Sequence, residues 1–166
     1  IAYLKGDFVY KSPAVVHVEA NGVGYEVQIS LNTYTKIQNL DKGTLHTCLL
    51  IREDAHILYG FFDPLEKEMF LQLLHVSGIG ASTARVILSY MKPDELAKTI
   101  VSGDSRTLEG IKGIGKKTAE RLVLELITME VFDTENEIMA GTAPLGREVT
   151  VVAGMAEPET QGVIFV

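Results

Sequence analysis

The sequence predicts an α+β chain: a small β-barrel or sandwich, then an all-helical region, then an acidic and irregular tail. Three observations carry this. Apolar residues change from period two to helical spacing at Asp63-Pro64. A turn reading x-Gly-Ile-Gly occurs twice, at 78–80 and 113–115, each time between helical patterns. Charge is also segregated. Residues 1–121 hold fourteen bases and fourteen acids, while residues 122–166 hold one base and eight acids, the whole net charge of −7.

Taking the elements in order, "IAYLKGDFVY" opens as a strand. "VVHVEANGVGYEVQI" alternates apolar and polar residues on both sides of Asn21-Gly22, a strong signal for a two-residue hairpin turn. "LNTYTKIQNL" suits a short helix or turn, and "LHTCLLIREDAHILYGFF" gives two further strands around Arg52-Glu53-Asp54. Some five strands in about sixty residues point to a small barrel or sandwich. Pro64 suits the first position of a helix that carries Leu65, Met69, Phe70, Leu73 and Leu74. A second helix over 81–90 turns Ala84, Ile87 and Leu88 inward. A third opens at Pro93-Asp94-Glu95 and runs to about Val101. Ser105 is placed to cap a short helix ending near Gly110, and a last helix covers Lys116 to Ile127. Beyond Met129 the chain mixes acids, Gly and Pro without a period, as a linker or disordered segment does, although "EVTVVAG" has the pattern of a short strand.

Composition narrows the function classes. At 46% hydrophobic and 22% charged, the chain has enough apolar content for a core. No apolar run approaches the roughly 20 residues needed to cross a bilayer, and no basic-then-apolar leader opens the chain. Cys48 is the single cysteine, which excludes an internal disulfide and a cysteine-built zinc site; a reduced, cytoplasmic protein without cofactor is expected. An isoelectric point near 5.1 argues against a nucleic-acid binder. The segregation of charge removes that objection for residues 1–121.

Superposing Gly78 on Gly113 aligns "LLHVSGIGASTARVIL" with "LEGIKGIGKKTAERLV". Each unit is a helix, a glycine turn and a second helix. Glycines let backbone approach a ligand closely, and the second helix begins at once, so its unpaired N–H groups and positive dipole end face outward. Such a turn grips anions with backbone and, on DNA, holds phosphates without reading bases. A plain helix C-cap would explain one copy, but two in matching context favour a ligand. Two hairpins can also reach both strands of a duplex. Gly110 to Lys116 matches the nucleotide-binding pattern G-x-x-x-x-G-K, but Lys117 stands where a magnesium-binding Ser or Thr is needed and no buried strand precedes it. ATP binding is therefore not expected.

The two hairpins, "NGVGYEV" and "REDAHILYGF" together make residues 1–129 resemble the RuvA family, the Holliday-junction-binding subunits of the bacterial branch-migration complex. The resemblance implies an OB-fold barrel over 1–62, a tandem helix-hairpin-helix DNA-binding domain over 63–129, and an acidic linker or tail over 130–166. It implies a homotetramer with a four-fold DNA-facing surface, leaves an octamer open, and brings the hexameric AAA+ motor RuvB and the resolvase RuvC as partners. ATP hydrolysis would belong to the motor. Backbone contacts to DNA fall on Gly78, Gly80, Gly113 and Gly115, with Lys116 and Lys117 just after the second turn. Arg121 either contacts DNA or pairs with Glu125 at i+4. The first hairpin departs from the family pattern, reading Ala81-Ser82 where Pro and a basic residue are common; Ser82 can still donate a hydrogen bond. Arg85 either compensates or lies on a solvated face. Glu53 and Asp54, otherwise ordinary polar residues at a hairpin tip, correspond to the family's acidic pin at the tetramer centre. Residues 130–166 show none of the amphipathic helices of a motor-binding domain.

Two other functions fit parts of the chain. In a helix-hairpin-helix DNA glycosylase or lyase, Lys117 would attack a sugar with help from a downstream carboxylate such as Glu135. Those enzymes use Asp there, and the fused β-domain argues against the assignment. A protein-binding module is the other; its affinity would not fall steeply with salt as phosphate binding does. His17, His46, His56 and His75 are scattered and read as structural or surface residues, and no catalytic triad, metal cluster or paired carboxylate stands out.

Overall fold

Alternating burial builds the first five strands into a closed barrel. The computed structural model describes residues 1–128. In chain order these are β1 (Tyr3–Lys11), β2 (Val15–Ala20), β3 (Val23–Ile29), α1 (Leu31–Ile37), β4 (Lys42–Ile51) and β5 (His56–Phe61). The helices α2 (Pro64–His75), α3 (Ala81–Tyr90), α4 (Pro93–Val101), α5 (Ser105–Glu109) and α6 (Lys116–Ile127) follow. Pairing runs β1-β2-β3-β5-β4 and closes through β4 and β1. Only β3 and β5 pair parallel, across the connection that contains α1. This is the OB-fold arrangement, and it resolves barrel against sandwich. Asn21 (φ 51°) and Gly22 (φ 78°) both occupy the left-handed region, as a tight β2–β3 hairpin requires. The tail expected over 130–166, including "EVTVVAG", lies outside the described residues.

Val16, Val18, Val27, Ile29, Ile37 and Leu45 fill the barrel core. A second core joins the helices and extends into the barrel wall: Tyr59 and Phe61 of β5 stack on Phe70 of α2, with ring centroids 5.0 and 4.9 Å apart. Barrel and helices therefore fall within one compact unit. In α2, Met69, Phe70 and Leu73 are buried while Leu65 and Leu74 are only half-buried. The short helix α5 is capped by Asp104 rather than by Ser105. Its carboxylate accepts the Thr107 N–H at 3.2 Å and the Thr107 hydroxyl at 2.5 Å. Those Thr107 hydrogen bonds, the hydroxyl's foremost, hold its pKa below the usual value.

Polar side chains tie the barrel to the first hairpin. Asn32 Nδ2 donates to the Leu88 and Met91 carbonyls at the end of α3. The Leu31 N–H donates to Ser89 Oγ at 3.0 Å. Arg85 donates from Nη1 to the carbonyl of Ala14 at 3.0 Å and lies 3.4 Å from that of Ile29. Arg85 is thus not an idle surface charge; it fastens α3 to the barrel.

Glu66 is the one charged residue buried among the described residues, at 1% exposure. Two relays end on it. The Thr33 N–H donates to Ser30 Oγ at 3.0 Å, and that hydroxyl donates to Glu66 Oε1. The Phe62 N–H donates to Thr33 Oγ1 at 3.0 Å, and that hydroxyl donates to Glu66 Oε2 at 2.8 Å. Burial pushes the Glu66 pKa above the ordinary 4.5 despite both hydroxyl bonds. Glu66→Ala strips both hydroxyls of their acceptor and should destabilise the fold by about 2–5 kcal/mol in urea denaturation. Glu66→Gln should lose less. Because the folded pKa is raised, protonation favours the fold: the contribution is complete below the unfolded pKa and lost as pH rises through the folded one. The native chain should therefore gain stability relative to Glu66→Gln as pH is lowered from neutrality toward 4.5.

Candidate nucleic-acid interface

The two turns are the same structure built twice. Val76 and Ile111, both 1% exposed, close the preceding helices, and Ile79 and Ile114, at 6% and 5%, plug into the core. The N–H of Ile79 donates to the Val76 carbonyl at 3.1 Å, and that of Ile114 to Ile111 at 3.0 Å. Each buried isoleucine pins its turn from inside and leaves the flanking glycines at the surface. Gly78 (φ 87°) and Gly113 (φ 90°) take a left-handed backbone that other residues adopt only with strain.

Gly80 and Gly115 tell more. They are the N-caps of α3 and α6, with φ/ψ of −90°/171° and −88°/170°, an extended backbone open to any residue. A Cβ added to either would have no atom within 4 Å. The fold thus makes no steric demand for glycine at either cap; a close-lying ligand would. Neither cap supplies a side-chain acceptor, whereas Ser30 caps α1 and Asp104 caps α5 with an oxygen. The first N–H groups of α3 and α6 therefore have no side-chain acceptor at the cap, at the end of each helix where the dipole favours an anion.

Around the second turn Lys116 and Lys117 are exposed on the first turn of α6, where no acidic residue accompanies them. Lys112, exposed directly before Gly113, is a further ammonium at this lip that the sequence-derived site omitted; its adjacency to the turn was the available signal. At the first turn Ser82 is exposed and no lysine is present. Arg121 makes the i+4 pairing, Nε lying 4.0 Å from Glu125 Oε1, while its side chain stays 47% exposed and open to a DNA contact as well. Its Nη1 also donates to the Ser77 carbonyl at 3.1 Å, which links the second hairpin to the first.

Glu53 and Asp54 sit at the exposed β4–β5 tip, closed by the Arg52 N–H donating to the Ala55 carbonyl at 2.8 Å. Arg52 Nε stands 4.0 Å from Asp54 Oδ1, both side chains well exposed. Among the described residues no group of three or more His, Cys, Asp or Glu is placed to hold a metal, and no helix is long and apolar enough to cross a membrane.

An OB-type barrel followed by paired glycine turns defines a tandem helix-hairpin-helix protein. The comparisons agree: a family model described as "RuvA N terminal domain" matches residues 1–60, and one described as "SAM-like Helix-hairpin-helix tandem" matches residues 70–127. The chain belongs to the RuvA family. It is 42% identical over 147 residues to the Holliday junction branch migration complex subunit RuvA of Porphyromonas gingivalis, covering 88% of this chain and 73% of that protein. The same subunit of Cytophaga hutchinsonii is 48% identical over 126 residues, 76% of this chain and 63% of that protein. That of Flavobacterium psychrophilum is 49% identical over 126 residues, 76% of this chain and 65% of that protein. The chain thus spans just under two thirds of the length of several of its relatives.

Proposed function

We propose that this chain binds four-way (Holliday) DNA junctions without reading their sequence. It holds them open for branch migration by a partner AAA+ ATPase in recombination and repair. One observation carries the proposal: two geometrically equivalent turns present uncapped helix N-termini whose cap glycines the fold itself does not require. Gly78, Gly80 and Ser82 form one phosphate clamp, and Gly113, Gly115, Lys116 and Lys117 the other. Residues 1–62 serve as the barrel module and 63–129 as the DNA-binding module. Family membership adds RuvB and RuvC as partners and a homotetramer as the working assembly. Exposed Tyr3, Val9 and Tyr10 on β1 give the barrel apolar surface that self-association would cover.

In such a tetramer Glu53 and Asp54 would bring eight carboxylates to the crossover. There they repel phosphates and part the strands, while the outer clamps attract the arms. Affinity for a four-way junction should exceed that for duplex of equal length in a fluorescence-anisotropy titration. Equal affinities would sink the proposal. Glu53→Gln with Asp54→Asn should bind junction more tightly yet slow branch migration when the motor is supplied.

A further inference from the structure

Ser77 precedes the first glycine turn, and both of its backbone polar groups are taken by α6, the helix that follows the second turn. Its N–H donates to Glu125 Oε2 at 3.2 Å, and its carbonyl accepts from Arg121 Nη1 at 3.1 Å. Arg121 and Glu125 face one another one helical turn apart at 4.0 Å, so the three groups close a ring. A Cβ on Gly78 would lie 3.5 Å from Arg121 Nη1, which puts the guanidinium against the turn itself. The arrangement is one-sided. The 35-residue shift that relates the hairpins places Val86 and Tyr90 of α3 where α6 has Arg121 and Glu125, and neither can form this charged pair.

We propose that Arg121 and Glu125 are positioning residues for the first clamp, a role that rests on the DNA-binding proposal above. The first turn has no lysine to draw phosphate in, so it depends on how its free N–H groups are aimed. Hydrogen bonds weaken steeply off their preferred geometry, and a turn held in its bound conformation beforehand loses less freedom on binding. The clip lets the more basic hairpin hold the less basic one in register. Both side chains are partly exposed, 47% for Arg121 and 35% for Glu125, so the clip contributes to aim more than to stability.

The sign of one substitution separates aiming from charge. Removing a carboxylate beside a phosphate-binding surface should tighten DNA binding if electrostatics alone acts. The clip requires the opposite. With the 166-residue chain and a labelled four-way junction, Glu125→Ala should weaken binding about fivefold or more, whereas Glu125→Gln, which keeps an acceptor for the Ser77 N–H, should stay within about twofold of native. Arg121→Met should weaken binding with little change in the slope of log K against log salt. A direct phosphate contact would instead lower that slope by about 0.9. Glu125→Ala binding as tightly as native, or tighter, overturns the clip, as does a slope loss of that size in Arg121→Met. Thermal unfolding is measured first, and if Glu125→Ala does not fold, the Arg121→Met slope decides. A native chain whose junction affinity ignores salt would remove the DNA-binding proposal itself, whatever the variants do.

Discussion

Replacing Lys116 and Lys117 together by alanine is expected to weaken junction binding about tenfold or more, and to lower its salt slope by about 0.9 for each phosphate no longer neutralised. The same change should leave the fold as stable as before, or slightly more so. Both lysines occupy the first turn of α6, where the helix dipole disfavours positive charge, and that turn holds no acidic residue. Among the described residues neither lysine has a carboxylate within ion-pair distance. They are thus placed against the preference of their own helix, as expected where an external anion sets the choice of residue. Thermal unfolding beside an anisotropy titration over 50–300 mM salt (about the range where counterion release is readily read) checks both signs at once. A parallel fall in stability and affinity would mean the lysines act through the fold.

Gly80→Ser combined with Gly115→Ser should give the same opposition of signs by another route. Serine is at least as good an N-cap as glycine, by a few tenths of a kcal/mol, and the extended backbone at both positions accepts it without a clash. The folded chain should be as stable or slightly stabilised. Junction binding should nonetheless fall about tenfold or more, because the new hydroxyl takes an N–H meant for phosphate and its Cβ stands where the DNA backbone must approach. Melting temperature and junction affinity, measured on the same preparation, read the two outcomes. Retained affinity would show that the caps do not face the ligand.

Periodicity made most of the architecture legible. The step from period two to helical spacing at Asp63-Pro64 falls between β5 and α2, and the Asn21-Gly22 turn pairs β2 with β3. The duplicated Gly-Ile-Gly located both turns because it is a local pattern with a local geometric cause. The joints between elements were not legible. Arg85 reads as a compensating base for the first hairpin or a charge on a solvated face, yet its partners are carbonyls 71 and 56 residues away. Arg121 reads as either a DNA contact or an i+4 partner of Glu125, and the distant Ser77 backbone that both Arg121 and Glu125 also bind leaves no mark in the sequence. Glu66 falls beside the apolar stripe of α2, and its burial depends on hydroxyls of Ser30 and Thr33 contributed by another element.

The contacts of Arg85 and Asn32 with backbone carbonyls have a consequence for how this architecture is inherited. A carbonyl is supplied by any residue, so Ala14, Ile29, Leu88 and Met91 can each be exchanged without removing the acceptor they provide. Each of these two contacts is therefore encoded by a single side chain, Asn32 from the barrel side and Arg85 from the helical side. Paired substitution is not needed at these two contacts, and searches for co-varying positions should pass over them, unlike the Ser30 and Thr33 pairs with Glu66 that join the same two parts of the chain.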